Sequence, residues 1–95
     1  MSALNDDDIH AALSDMPEWE FDGRHLTRTY QFPSFRAAIT FIDGVADEAE
    51  RADHHPDIEN TYDRVTLRLR THSADAVTDK DLALARAADA VERMV

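Results

Sequence analysis

The hydrophobic period of this chain switches from helical to alternating across Pro56. Phe35, Ala38, Ile39, Ile42, Val45, Ala46 and Ala49 recur at helical spacing. From Val65 the pattern alternates instead. Val65, Leu67, Leu69 and Thr71 point one way, and Thr66, Arg68, Arg70 and His72 point the other. Pro56 stands between the two patterns, and the residue before a proline avoids helical angles, so the helix has to end ahead of it. A long amphipathic helix followed by a one-sided strand requires a layered plan, with the helix covering one face of a sheet.

The flanking segments fit that plan. Asn5 is a good N-cap, Asp6, Asp7 and Asp8 fill the positive first turn behind it, and Leu4 can staple onto Ile9. Ile9, Ala12, Leu13 and Met16 form the stripe of this first helix, which Pro17 ends. Glu18 to Phe21 and His25 to Phe32 read as strands around an Asp22-Gly23 turn. Pro33-Ser34 opens the long helix, in which Gly44 allows close packing. Asp57 to Thr61 is a short extended piece. Thr78 caps the final helix, with Asp81 placed to complete a capping box, and Leu82, Ala85, Ala88, Val91 and Val95 form its stripe.

The predicted order is α-β-β-α-β-β-α in a single domain over residues 1–95. This is an α+β fold, a four-stranded antiparallel sheet with helices packed on one face. The face carrying Arg68, Arg70 and His72 is left uncovered and has to meet solvent, a partner subunit or a ligand. A core this small, with open sheet edges, points to a homodimer or homotetramer.

Composition narrows the function classes. There are no cysteines, which removes disulfides, thiolate catalysis and cysteine-ligated zinc. The net charge of −10, from 20 acidic and 10 basic residues, argues against nucleic acid as a partner. No apolar run approaches the ~20 residues of a membrane span. The polar, acidic start from Met1 to Asp8 has no h-region, so the expectation is no secretory signal, no membrane and a cytoplasmic protein. Acidic residues are mostly Asp, and Lys80 is the only lysine. That surface suits either a salt-adapted host or an ordinary acidic protein.

Chemistry concentrates between Glu50 and Asp81, which enclose His54-His55-Pro56, Tyr62 and His72. Histidine titrates near neutrality without help. Glu50 and His54 are four apart, so they share one face of the long helix's last turn, where the carboxylate fixes the imidazole's tautomer. Pro56 rigidifies the turn after the two rings. Plainer roles exist for several of these residues. Glu50 can be a solvated helix carboxylate, Asp81 a helix-start residue, Tyr62 a half-buried strand aromatic and His72 a surface residue. His10 and His25 receive no role. The set permits acid–base catalysis without a cofactor, or a metal site of three histidines and a carboxylate. Ligation needs the nitrogens within ~2.1 Å of one point, which is awkward for adjacent rings, so acid–base chemistry with no metal is preferred.

The spacing Glu50, His54-His55-Pro56, Tyr62, His72, Asp81 resembles the signature of the pterin-4a-carbinolamine dehydratases, known in animals also as dimerisation cofactors of a homeodomain transcription factor. Trp19, Arg36-Ala37-Ala38, Phe41, the strand from Val65 ending in Thr71-His72, and the run from Asp79 to Ala85 extend the likeness from about Leu13 onward. The resemblance implies the same α+β fold and a pterin substrate. It also implies cofactor-free dehydration of 4a-hydroxytetrahydrobiopterin to the quinonoid dihydropterin. It makes His54, His55 and His72 the catalytic set, with His54 and His72 moving protons and His55 positioning the pterin. Glu50 would orient His54. Asp81, Pro56 and Thr71 would support the site, and Trp19 would either lid its mouth or fill the hairpin core. Arg68 and Arg70 depart from smaller polar residues in some relatives and could meet an anionic pterin substituent. The alternatives are a protein-interaction module like the transcriptional cofactors, or a pterin-binding protein linked to molybdopterin metabolism.

Overall fold

The computed structural model describes residues 3–95. Met1 and Ser2, where the acidic N-terminal stretch begins, lie outside the described residues. The elements are α1 (Asp6–Leu13), β1 (Glu20–Phe21), β2 (Leu26–Gln31), α2 (Phe35–Ala52), β3 (Asp57–Thr61), β4 (Arg64–Leu69) and α3 (Asp79–Glu92), with a 3-10 turn at His72–Ala74 before α3. The strands form one antiparallel sheet in the order β1-β2-β4-β3, so the expected α+β order holds. No helix among the described residues is long and apolar enough to cross a membrane.

Register follows from alternation. Leu26 faces Leu69 and Tyr30 faces Val65, which puts Leu26, Tyr30, Val65, Leu67 and Leu69 on the buried side. Thr29 and Thr66 pair on the opposite side through their hydroxyls at 2.8 Å. The helices bury against the apolar side. Phe41 of α2 lies 4.5 Å from the Tyr30 ring centre and 4.9 Å from that of Phe32.

Several boundaries differ from the sequence reading. β1 starts at Glu20 rather than Glu18, because the Trp19 N–H bonds Met16 O and keeps the preceding residues in a turn. The buried line of α2 is Ala38, Phe41, Val45 and Ala49. Phe35 and Ala46 of the expected stripe are exposed, since the helix turns its Phe41 side to the sheet. In α3 the buried line includes Asp81, Leu84 and Asp89, whereas Leu82 is half-buried and Val95 lies beyond the helix.

Gly44 does make a close approach. A Cβ there would stand 2.5 Å from Val91 Cγ1, so α2 and α3 touch without room for a side chain. At the β1–β2 turn, Gly23 takes φ 94, and the Asp22 carboxylate accepts the N–H groups of Arg24 at 2.8 Å and His25 at 2.6 Å. These bonds, that from His25 foremost, hold the Asp22 carboxyl below its ordinary value of 3.8.

Candidate active site

The site begins where α2 stops. Asp53 closes the helix in the left-handed region, at φ 50 and ψ 45, a conformation a short polar side chain tolerates better than most. Its N–H bonds back to Ala49 O and Glu50 O. The chain therefore leaves the helix before both histidines. His54 turns inward and is 9 % exposed, while the His55 side chain is 59 % exposed.

This reversal corrects one expected pairing. Glu50 does not meet His54, because four-residue spacing brings side chains together only while the helix continues. Glu50 Oε2 lies instead 2.9 Å from His55 Nε2, at the surface. His54 Nε2 lies 2.5 Å from Asp81 Oδ1.

Asp81 is fully buried and gathers three segments. Its Oδ2 accepts the Thr71 hydroxyl at 2.8 Å and the Thr78 N–H at 2.9 Å. It completes the expected capping box of α3 while reaching the imidazole from the end of α2. One side chain thus both caps α3 and holds the His54 ring.

His72 is not on the strand. β4 ends at Leu69, and Thr71 and Ala76 form an isolated bridge, with Thr71 N to Ala76 O at 2.9 Å and Ala76 N to Thr71 O at 3.4 Å. His72 opens the 3-10 turn inside that closed loop and is exposed. The three imidazoles nonetheless line one cleft of about 390 Å³, together with Pro56 and Thr71. Asp53, Asp57, Ser73 and Lys80 complete the lining. Among the described residues, no group of three or more histidine, aspartate or glutamate side chains is arranged to hold a metal ion.

The sequence profile described as pterin 4 alpha carbinolamine dehydratase matches residues 2–91. The chain belongs to the pterin 4 alpha carbinolamine dehydratase family. A relative from Nocardia farcinica, provisionally named a pterin-4-alpha-carbinolamine dehydratase, is 48% identical over 90 residues, covering 95% of each chain. A second, from Thermomicrobium roseum and named likewise, is 49% identical over 86 residues, covering 90% of this chain and 92% of its own. A crystal structure from Brucella melitensis, described as a transcriptional coactivator/pterin dehydratase, superposes with a TM-score of 0.91 at 36% identity, over 96% of this chain and 99% of that one.

Within this member of the dehydratase family, Trp19 is not at the cleft. It is 3 % exposed, packs edge-on against Tyr30 and donates its indole N–H to the Asp89 carboxylate, 3.0 Å from Oδ1. The lid expectation is therefore replaced by the core one, because the hairpin turns this ring beneath the sheet. Asp89 Oδ1 also accepts the Tyr30 hydroxyl at 2.5 Å and Arg28 NH1 at 2.7 Å, and Arg28 NH2 reaches Glu92 at 3.1 Å. Burial first, and then donation to Asp89, pushes the Tyr30 phenol above its ordinary range. This second buried cluster ties β2 to α3. An aspartate interrupting the apolar line between Ala88 and Val91 is the one sequence sign of it.

Tyr62 is likewise not a half-buried strand aromatic. It takes φ 51 in the tight β3–β4 turn and is 68 % exposed. Arg68 lies 4.0 Å from Glu59 across the sheet, and Arg70 pairs with Asp75, so both cations are engaged away from the cleft lining. Asp53 and Ser73 went unread because each owes its place to a chain reversal rather than to a period, and Asp57 and Lys80 because they lie at the starts of β3 and α3 beside those reversals.

Proposed function

We propose that this chain catalyses loss of water from a 4a-hydroxytetrahydropterin by histidine acid–base chemistry, without a cofactor, and so serves tetrahydropterin recycling in the cytoplasm. In the reaction the C4a–O bond breaks, a proton joins the departing oxygen to give water, and the N5 proton is lost as the N5=C4a bond of the quinonoid dihydropterin forms. One group has to donate a proton and another accept one, with no change of oxidation state in the protein.

The observation that carries this reading is the convergence of His54, His55 and His72 on a single cleft, with His54 buried against Asp81. Two rings differently held suit two different proton tasks. His54 and His72 are the proton movers. His55, steadied by Glu50, positions the pterin and shares the acid role. Pro56 fixes the approach of both adjacent rings, and Thr71 and Asp81 support His54 from behind. A homodimer or homotetramer accompanies this assignment, since β1 and β3 leave the two edges of the sheet open.

The test follows the absorbance of a 4a-hydroxytetrahydropterin, generated in situ, with and without the protein. The expected result is a saturable acceleration above the spontaneous rate. Decay at the spontaneous rate across protein concentrations overturns the assignment.

A further inference from the structure

The hydrogen bonds behind His54 run in one direction. A threonine hydroxyl has one proton to give, and a carboxylate oxygen accepts. Thr71 gives its proton to Asp81 Oδ2 at 2.8 Å. In the 2.7 Å contact between the Thr71 and Thr78 hydroxyls, Thr78 is therefore the donor. The Thr78 oxygen in turn accepts the Lys80 N–H at 3.2 Å. Thr78 and Asp81 are fully buried and Thr71 is 4 % exposed, so water does not compete for these bonds.

With Oδ2 occupied by two donors, the free acceptor of Asp81 is Oδ1, whose partner is His54 Nε2. A bond between that oxygen and that nitrogen places the proton on Nε2. The other ring nitrogen, Nδ1, makes no hydrogen bond to the protein and is not sealed from solvent. In the neutral ring it holds the lone pair.

We infer that Thr78 is a positioning residue for the proposed reaction: through Thr71 and Asp81 it fixes His54 as the Nε2–H tautomer, leaving Nδ1 as the atom that exchanges the proton with the pterin. This inference rests on the dehydratase reading. In the forward direction His54 Nδ1 takes the N5 proton, and His72 gives a proton to the departing oxygen. The two rings are restored when His54 passes its proton to solvent and His72 recovers one. The start of α3 is thereby part of the site, although Thr78 touches no substrate.

The experiment uses the whole chain labelled with 15N at histidine. Ring nitrogen shifts and ring-proton correlations are read at about pH 8.5, two units above the ordinary histidine value of about 6.5. The expected spectrum assigns His54 a protonated Nε2 and a pyridine-like Nδ1. The opposite tautomer in the unsubstituted protein overturns the inference whether or not turnover is seen. Kinetically, Thr78→Val should lower kcat about tenfold, part of the roughly 10²–10⁴-fold attributed to a general base, with KM within about twofold. Thr78→Ser should restore kcat. Unchanged kcat in a folded Thr78→Val protein, or a change confined to KM, also overturns it. Should Thr78→Val fail to fold, Thr78→Ala is read in its place, with the same fall in kcat expected and an unchanged kcat overturning the inference. If the unsubstituted protein shows no turnover, the functional assignment falls, and the spectrum alone then judges the hydrogen-bond chain.

Discussion

Asp81 divides its carboxylate between His54 and the first turn of α3. Oδ1 lies 2.5 Å from His54 Nε2, and Oδ2 takes the Thr78 N–H at 2.9 Å. A helix-capping group has been turned to a second use, and the stability of the fold is bound to the geometry of the cleft.

Replacing Asp81 with asparagine should damage both. The amide keeps an oxygen for the Thr71 hydroxyl and the Thr78 N–H but turns its NH2 toward His54 Nε2, which can pair with it only as an acceptor, in the opposite tautomer. We expect a loss of about 1–2 kcal/mol, because bonds to a buried carboxylate become weaker neutral ones. We also expect a fall in turnover that exceeds the fraction unfolded. Urea titration and the pterin assay measure the two separately, and an unchanged midpoint would contradict a stabilising role for the buried carboxylate.

His54→Ala and His72→Ala should each reduce turnover at least ~100-fold. They should part company in stability. Removing His54 strands Asp81 Oδ1 in the interior, whereas His72 is exposed and owes the core nothing. A lowered Tm for the first and an unmoved Tm for the second is the expected pair of results, read by thermal melting.

Trp19→Phe tests the place of the indole. The substitution keeps the aromatic packing on Tyr30 and deletes the bond to Asp89. About 1 kcal/mol of stability should be lost, with kcat within about twofold of the starting value. A large kinetic defect in a stable variant would return Trp19 to the cleft mouth.

Gly44→Ala sets two effects against each other. Alanine favours a helix interior over glycine by roughly 1 kcal/mol. The new methyl would collide with a β-branched side chain that has little freedom to turn away, and overpacking of this kind costs about 1–3 kcal/mol. The clash should win, giving a net loss near ~1 kcal/mol by denaturant titration.

The Asp22 carboxyl has a lowered value in the folded state, so its contribution is present above the ordinary 3.8 and is lost as pH falls through the folded value. Asp22→Asn keeps an oxygen for the His25 and Arg24 N–H groups and removes the titration. Stability measured from pH 5 down to pH 2 should fall less steeply in this variant than in the parent.

The periodic parts of the molecule were legible before any coordinates. Alternation from Val65 gave the strand and its buried side, and helical spacing placed a long helix ahead of Pro56. The gathering of the histidines was readable as well, from spacing and family likeness. What could not be read were the reversals. The left-handed turn at Asp53 sends two neighbouring rings to opposite environments, and no periodicity encodes where a helix stops to the residue. The same limit misplaced His72, because the strand's alternation continues in sequence past the point where its hydrogen bonds end. Asp89 was hidden for a different reason. A charged residue on an apolar line looks like a boundary of the core until Trp19, Tyr30 and Arg28, distant in sequence, are found to supply its partners.

The bridge between Thr71 and Ala76 bounds how this end of the cleft can move. Both ends of the short segment carrying His72 are fastened to each other, and Thr71 is anchored below by Asp81. The backbone there has little travel, so the ring can pivot but the segment cannot swing aside as a gate. Pivoting of an exposed side chain occupies picoseconds to nanoseconds, far faster than any turnover. If the proposed function holds, entry and exit of a pterin past His72 would be a matter of rotamer choice, with no slow opening of this segment.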